Sequence, residues 1–169
     1  EALAFMVRYT SGVVCVAAEA GRLKHLALPP MVAQNEDPKE TAFAVSVDYR
    51  HGTTTGISAH DRALTIRKMA DPTATAADFH RPGHVFPLRY RSGGVLQRRG
   101  HTEASVDLAR LAGCAPVGYL AEIQNDDGTM ARLPALRKLA EEHGLRLLTI
   151  EDLARYRARK GGADAAGAD

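Results

Sequence analysis

The sequence contains no tryptophan and only two cysteines, and aromatic residues make up 5% of its 169 positions. Each shortage removes a class of function. Nucleic-acid surfaces combine a basic stripe with interleaved aromatics. A formal net charge of +2 with so few rings supplies neither, so no nucleic acid is expected as a partner. Cys15 and Cys114 stand in apolar surroundings without CxxC spacing, which excludes a zinc ribbon and a redox dithiol and points to a reducing, cytoplasmic setting. No apolar run approaches the ~20 residues that span a bilayer. Glu1–Thr10 lacks the basic start and cleavage site of a secretory signal and reads as a helix already under way. No membrane is expected. There is no Gly-x-Ser-x-Gly elbow and no GxGxxG after a strand, which removes support for a serine hydrolase and a dinucleotide enzyme.

What is present is an ordinary globular composition, 45% hydrophobic and 25% charged. A domain of this length buries roughly two thirds of its unfolded surface and needs no disulfide or structural metal. One domain over residues 1–160 is expected, with a small-residue tail over 161–169 too poor in apolar groups to pack. Strand patterns cover Gly12–Ala17, Ala42–Tyr49, His84–Tyr90, Val117–Gln124, Thr129–Leu133 and Leu145–Ile150. Helical patterns cover Ala59–Ala70 and Glu151–Lys160, each opened by a Ser/Thr-x-x-Asp capping signal, and Thr102–Ala112, with Ala104, Leu108 and Leu111 on its apolar face. A fourth helix is bracketed by Pro134 and Gly144, and Asn125–Gly128 reads as a hairpin turn. The fold expected is α+β in three layers, α/β/α, with one mixed twisted sheet covered by helices on both faces.

Chemistry concentrates in a few places. Arg98-Arg99-Gly100-His101-Thr102-Glu103 sets two guanidinium groups, a glycine and an imidazole at a helix start, where free N–H groups and the helix dipole favour a phosphate or carboxylate. The plainer reading is that Thr102 caps the helix and the arginines are solvated. His101 is placed for a metal ligand or general acid. His84, delivered to a strand by Pro82-Gly83, reads either as an acid–base group or as a half-buried histidine bonded to a carbonyl. Glu122 reads either as a carboxylate with a shifted pKa or as the solvent side of an edge strand. Thr53–Ser58 is a hydroxyl-rich loop able to take phosphate or sugar hydroxyls, although it lacks the P-loop lysine. A small phosphorylated molecule with acid–base groups around it is the surviving theme.

These residues fall into a familiar order. Thr10-Ser11-Gly12, Pro30-Met31-Val32, Thr41-Ala42-Phe43, Thr54-Thr55-Gly56-Ile57-Ser58 with Asp61-Arg62, Arg81-Pro82-Gly83-His84-Val85-Phe86-Pro87-Leu88, Gly100-His101-Thr102-Glu103-Ala104 and Asn125-Asp126-Asp127-Gly128-Thr129-Met130 resemble the 3,4-dihydroxy-2-butanone 4-phosphate synthases over nearly the whole chain. The resemblance implies a lyase of riboflavin biosynthesis that converts D-ribulose 5-phosphate into L-3,4-dihydroxy-2-butanone 4-phosphate and formate, with Mg2+ or Mn2+, as a homodimer. Carried over residue by residue, it makes His101 the metal-binding histidine and Arg98, Arg99, Gly100, His101 and Thr102 the substrate-binding segment. It makes His84 and Glu122 the catalytic positions, with Glu122 also contacting substrate. The family resembled carries an N-terminal strand and an acidic loop, with a glutamate metal ligand, ahead of the helix that opens this chain. A fragment is expected, with a catalytically silent family member that binds a sugar phosphate or serves as a dimer partner as the alternative.

Overall fold

The computed structural model describes residues 1–165, with side chains described through Lys160. In chain order the elements are α1 (Ala2–Thr10), β1 (Cys15–Ala18), α2 (Ala20–His25), β2 (Val47–Tyr49), α3 (Ala59–Ala70), β3 (Phe79–Arg89), α4 (His101–Leu111), β4 (Val117–Leu120), α5 (Leu133–Glu142) and α6 (Ile150–Ala165). The strands form one mixed sheet in the order β2-β3-β1-β4. β1 runs parallel to β3 and antiparallel to β4, and β2 runs antiparallel to β3.

Period-two alternation sorts the side chains between two cores. Val14, Val16 and Ala18 face one side with Val47, Phe79 and Val85, under Leu3 of α1, Leu23 of α2 and Ile66 and Met69 of α3. Cys15 and Ala17 face the other with Leu88 and Tyr90, under Val106 of α4. A strand apolar on both faces belongs at the centre of a covered sheet, and β1 lies there. Full burial of Val16, Val47, Val85 and Phe79 contributes roughly 1.5–3 kcal/mol for each side chain. The three-layer arrangement with helices on both faces is therefore present as expected. No helix among the described residues is long and apolar enough to cross a membrane.

Several local expectations need correction. β3 begins at Phe79, five residues before His84, because Phe79 pairs with Tyr49 and is wholly buried. The Ala42–Tyr49 pattern contracts to Val47–Tyr49, with isolated bridges at Phe43 and Ala44. Leu145–Thr149 forms no strand: nothing pairs with it, and Leu145, Leu147 and Leu148 are exposed. Leu108 and Leu111 of α4 also point outward, whereas Glu103, Val106 and Asp107 of the same helix are buried. Hydrophobic spacing misassigned that face because two buried carboxylates occupy it. Cys15 is buried as expected, but Cys114 is exposed. α2 carries no sequence signal strong enough to have been anticipated. α6 continues through Ala165, and the remainder of the expected tail, 166–169, lies outside the described residues.

Candidate active site

The site begins with a break in strand register. β2 and β3 pair as Val47↔Val85 and then as Asp48↔His80, an irregularity between Val47 and Asp48. Gly83 makes it possible, since a Cβ there would overlap the backbone of Val47 and Asp48. Such bulges re-aim a side chain. Here the Asp48 carboxylate turns onto residue 84, with Oδ1 accepting the His84 backbone N–H at 2.8 Å and Oδ2 lying 2.6 Å from His84 Nδ1. A carboxylate accepts, so Nδ1 carries the proton, which in the neutral ring leaves the lone pair on Nε2. The imidazole is 44% exposed and the Asp48 side chain 11%, so a shielded acid orients an accessible base. Sequence reasoning found His84 and missed Asp48. The signal was Ser46 and Asp48, polar at alternate positions of an otherwise apolar run.

Glu122 follows β4, the edge strand of the sheet, and is exposed. Its alternative reading, a solvent-side carboxylate, thus describes its exposure. Its backbone is held by Gly12, where a Cβ would lie 2.8 Å from Glu122 Oε2 and overlap the Glu122 main chain. Burial first, and then the Glu122 charge, push the Cys15 thiol up to about 12. Leu120 pairs with Cys15, whose side chain shares a face with Phe86 and Leu88, and Glu122 lies two residues beyond Leu120. Alternation along β3 puts His84 on this same face. β1 lies between β3, which bears His84, and β4, which Glu122 follows.

The arginine-rich segment is built around two buried acids one turn apart on α4. Glu103, 1% exposed, accepts the Arg91 N–H at 3.1 Å and Arg98 Nη1 at 2.8 Å. Asp107, also 1% exposed, accepts from Tyr90 Oη, the Val95 N–H and Arg157 Nη1. The two guanidinium groups of the expected anion site therefore diverge. Arg98 turns inward to Glu103, and Arg99 turns outward to Glu151, 3.0 Å away in an exposed pair. Gly100 is the helix N-cap residue, and a Cβ there would collide with Arg98 and Glu103. Thr102 is buried in the first turn rather than capping it, and His101 is exposed at the helix start. Among the described residues no hydrogen bond or ion pair joins His101 to His84 or Glu122.

The hydroxyl-rich loop is not an open anion cradle, because an internal acid fills it. Asp61 Oδ2 accepts the Thr54 N–H, the Thr54 hydroxyl and the Gly56 N–H at 3.0, 2.8 and 3.0 Å. Burial pushes the Asp61 carboxyl up, but these bonds and one from His60 outweigh it and hold it well below the usual carboxylate range. The expected Ser58 cap is present, with Ser58 Oγ accepting the Asp61 N–H at 3.0 Å. The Asp61 side chain, however, serves the loop rather than the reciprocal half of a capping box.

A divalent cation needs several hard donors converging on one point. Among the described residues no group of three or more His, Cys, Asp or Glu side chains could hold a metal. His101 offers one exposed imidazole. The described residues alone do not fit a metal centre.

Comparison with known proteins agrees with this architecture. The family model for 3,4-dihydroxy-2-butanone 4-phosphate synthase matches residues 1–156. The riboflavin biosynthesis protein RibBA of Aquifex aeolicus is 56% identical over 162 residues, which cover 95% of this chain and 40% of that protein. The chloroplastic bifunctional riboflavin biosynthesis protein RIBA 1 of Arabidopsis thaliana is 57% identical over 95% of this chain and 30% of its own length. The chain thus spans well under half of these curated relatives. A solved 3,4-dihydroxy-2-butanone 4-phosphate synthase in complex with two magnesium ions superposes with a TM-score of 0.89 at 48% identity, covering 95% of this chain and 80% of that one. With the fold, motif order and match in agreement, the chain belongs to the 3,4-dihydroxy-2-butanone 4-phosphate synthase family.

Proposed function

We propose that this protein is a lyase that converts D-ribulose 5-phosphate into L-3,4-dihydroxy-2-butanone 4-phosphate and formate, within riboflavin biosynthesis. The observation that carries the reading is His84, an accessible imidazole whose Nδ1 lies 2.6 Å from the shielded Asp48 carboxylate. The reaction balances without net water, with five carbons entering and four plus one leaving. It requires protons to be removed beside a carbonyl and returned elsewhere. His84 Nε2, unprotonated while Nδ1–H is held by Asp48, serves as one base, and Glu122 serves as the second acid–base group while also contacting substrate. Such groups supply roughly 10²–10⁴-fold each when well placed.

Arg98, Arg99, Gly100, His101 and Thr102 hold the phosphate and sugar in this reading. The Arg99–Glu151 pair is exposed on both sides, and such a pair is worth at most about 1 kcal/mol, so a phosphate dianion can take Arg99 from it. Arg98 stays braced against Glu103. Mg2+ or Mn2+ belongs to the proposal through His101 and the magnesium-bound relative. A homodimer is included as well, since Leu108, Leu111 and Tyr119 are exposed on α4 and the neighbouring edge strand. A soluble cytoplasmic setting completes the reading.

The test is direct. The full-length protein, given D-ribulose 5-phosphate and Mg2+, releases stoichiometric formate. Binding of the sugar phosphate without formate leaves the catalytically silent alternative.

A further inference from the structure

We propose that Asp61 and Gly56 are positioning residues for His84, acting through the Thr54–Gly56 turn, which forms a rigid cover over the Asp48–His84 pair. The inference rests on the reading of His84 as an acid–base group. None of the comparisons assigns a role to this turn.

The turn carries the look of a phosphate loop, but its donors are already used. Three hydrogen bonds run from Thr54 and Gly56 to one oxygen of Asp61, a side chain that is itself 2% exposed. The position of that carboxylate is fixed in turn by the Ser58 cap at the start of α3. A turn that commits its N–H groups to an internal acid cannot offer them to a ligand. It can act as a brace.

Gly56 is where the brace meets the site. It is buried with φ of +88°, and a Cβ there would overlap the Asp48 carboxylate and lie 2.7 Å from His84 Nδ1. The backbone of residue 56 therefore lies directly on the Nδ1···Oδ2 contact. No room remains for water to replace Asp48 as the partner of Nδ1. Only glycine satisfies both the left-handed backbone and the close approach. The path is continuous, from the α3 cap to Asp61, from Asp61 to the turn, and from the turn to the tautomer of His84.

Loosening the brace should admit water to Nδ1 and mix the tautomers, without touching the groups proposed to hold the phosphate. In Asp61→Asn the amide NH2 competes for the oxygen's place and sets donors against the Thr54 and Gly56 N–H groups. In Gly56→Ala the added methyl forces Asp48 and His84 apart.

The experiment uses the full-length protein, ¹⁵N-labelled at histidine, and reads the long-range ¹H–¹⁵N spectrum of His84 alongside formate kinetics. Wild type is expected to show a single Nδ1–H tautomer. Asp61→Asn and Gly56→Ala are expected to show a mixture, with kcat lowered about tenfold, part of the roughly 10²–10⁴ a positioned acid–base group supplies, and KM within about twofold. Should either fail to fold, Thr54→Val removes one donor to Asp61 and gives a smaller shift in the same direction, while Thr54→Ser restores the wild-type spectrum. An unchanged Nδ1–H spectrum in the folded variants overturns the positioning role. A parallel loss in kcat and KM also overturns it. If the tautomer shifts as expected but His84→Ala still releases formate at the wild-type rate, the acid–base role of His84 fails while the brace stands.

Discussion

Replacing Asp107 with alanine should destabilise the protein by about 3 kcal/mol, although position 107 touches neither His84 nor Glu122. The carboxylate is 1% exposed and takes three hydrogen bonds, at 3.0 Å from Tyr90 Oη, 2.8 Å from the Val95 N–H and 2.7 Å from Arg157 Nη1. Burial first and this contact second push the Tyr90 phenol up, so it remains a donor. Removing the acceptor strands a buried N–H and a buried hydroxyl, each costing roughly 1–3 kcal/mol. Breaking a fully buried ion pair costs roughly 3–5 kcal/mol. The Arg157 side chain is 24% exposed and also holds the Gly93 carbonyl, so water and that carbonyl recover part of its loss. About 3 kcal/mol remains.

At roughly 2–4 °C per kcal/mol for a domain of this size, the melting temperature should fall by about 10 °C. Urea denaturation and thermal melts of wild type, Asp107→Ala, Arg157→Met and the double variant give a complete cycle. The two substitutions should couple by about 1 kcal/mol. The stretch from Tyr90 to Gly100, which leads into the segment proposed to hold the phosphate, is pinned to α4 by this acid and by Glu103, so KM for the sugar phosphate should rise as well. A loss below about 1 kcal/mol, or strict additivity of the two changes, would refute the reasoning.

His84→Ala and Glu122→Gln should each lower kcat by about 10²-fold or more with little change in KM, and His101→Ala should remove the response of formate release to added Mg2+ or Mn2+. Normal turnover in the first two, or normal metal activation in the third, contradicts the assigned roles. Cys15 is buried, with its thiol pushed up to about 12, and Cys114 is exposed. An aromatic disulfide reagent at pH 8 should therefore titrate one thiol in the native protein and the second only after denaturation; two fast thiols would contradict the burial. Asp61 is held below the usual carboxylate range, so its stabilising effect is complete above the unfolded-state value near ~3.9 and fades as pH falls through the folded value. The urea midpoints of wild type and Asp61→Asn should differ most at pH 7, and the gap should narrow as the pH is lowered below the unfolded-state value. A pH-independent gap would show that the carboxylate charge is irrelevant.

The sheet and its covering helices were legible because they rest on periodicity. The Gly12–Ala17 pattern marked the strand that forms at Cys15–Ala18, and Ser58-x-x-Asp61 marked the start of α3 at the residue where it begins. The hairpin at Asn125–Gly128 formed as its turn chemistry required, with Gly128 N–H bonded to the Asn125 carbonyl and φ of +83°. Failure came where a long-range partner decides the outcome. Leu145–Ile150 has the composition of a strand, yet nothing pairs with it among the described residues. Helix α4 shows the opposite case, since its leucines were read as the buried face while Glu103 and Asp107 hold that place by partners outside the helix.

The site divides along the same line. His84, Glu122 and the Arg98–Thr102 segment stand out as residue types in unusual settings, and a linear reading finds them. What gives His84 a defined chemistry is a strand irregularity at Val47/Asp48, a glycine at 83 that permits it, and a turn braced by an acid on a third element. None of these has a local signature, because each consists of two chain segments approaching closely where one lacks a side chain. Thr53–Ser58 illustrates the consequence. Its letters describe a ligand loop, and only the arrival of Asp61 from the next helix turns it into a support. Glycines that admit another segment's backbone or carboxylate, here Gly12, Gly56 and Gly83, are the positions where sequence and site meet. Substitution at those three should disturb catalysis out of proportion to the single methyl group added.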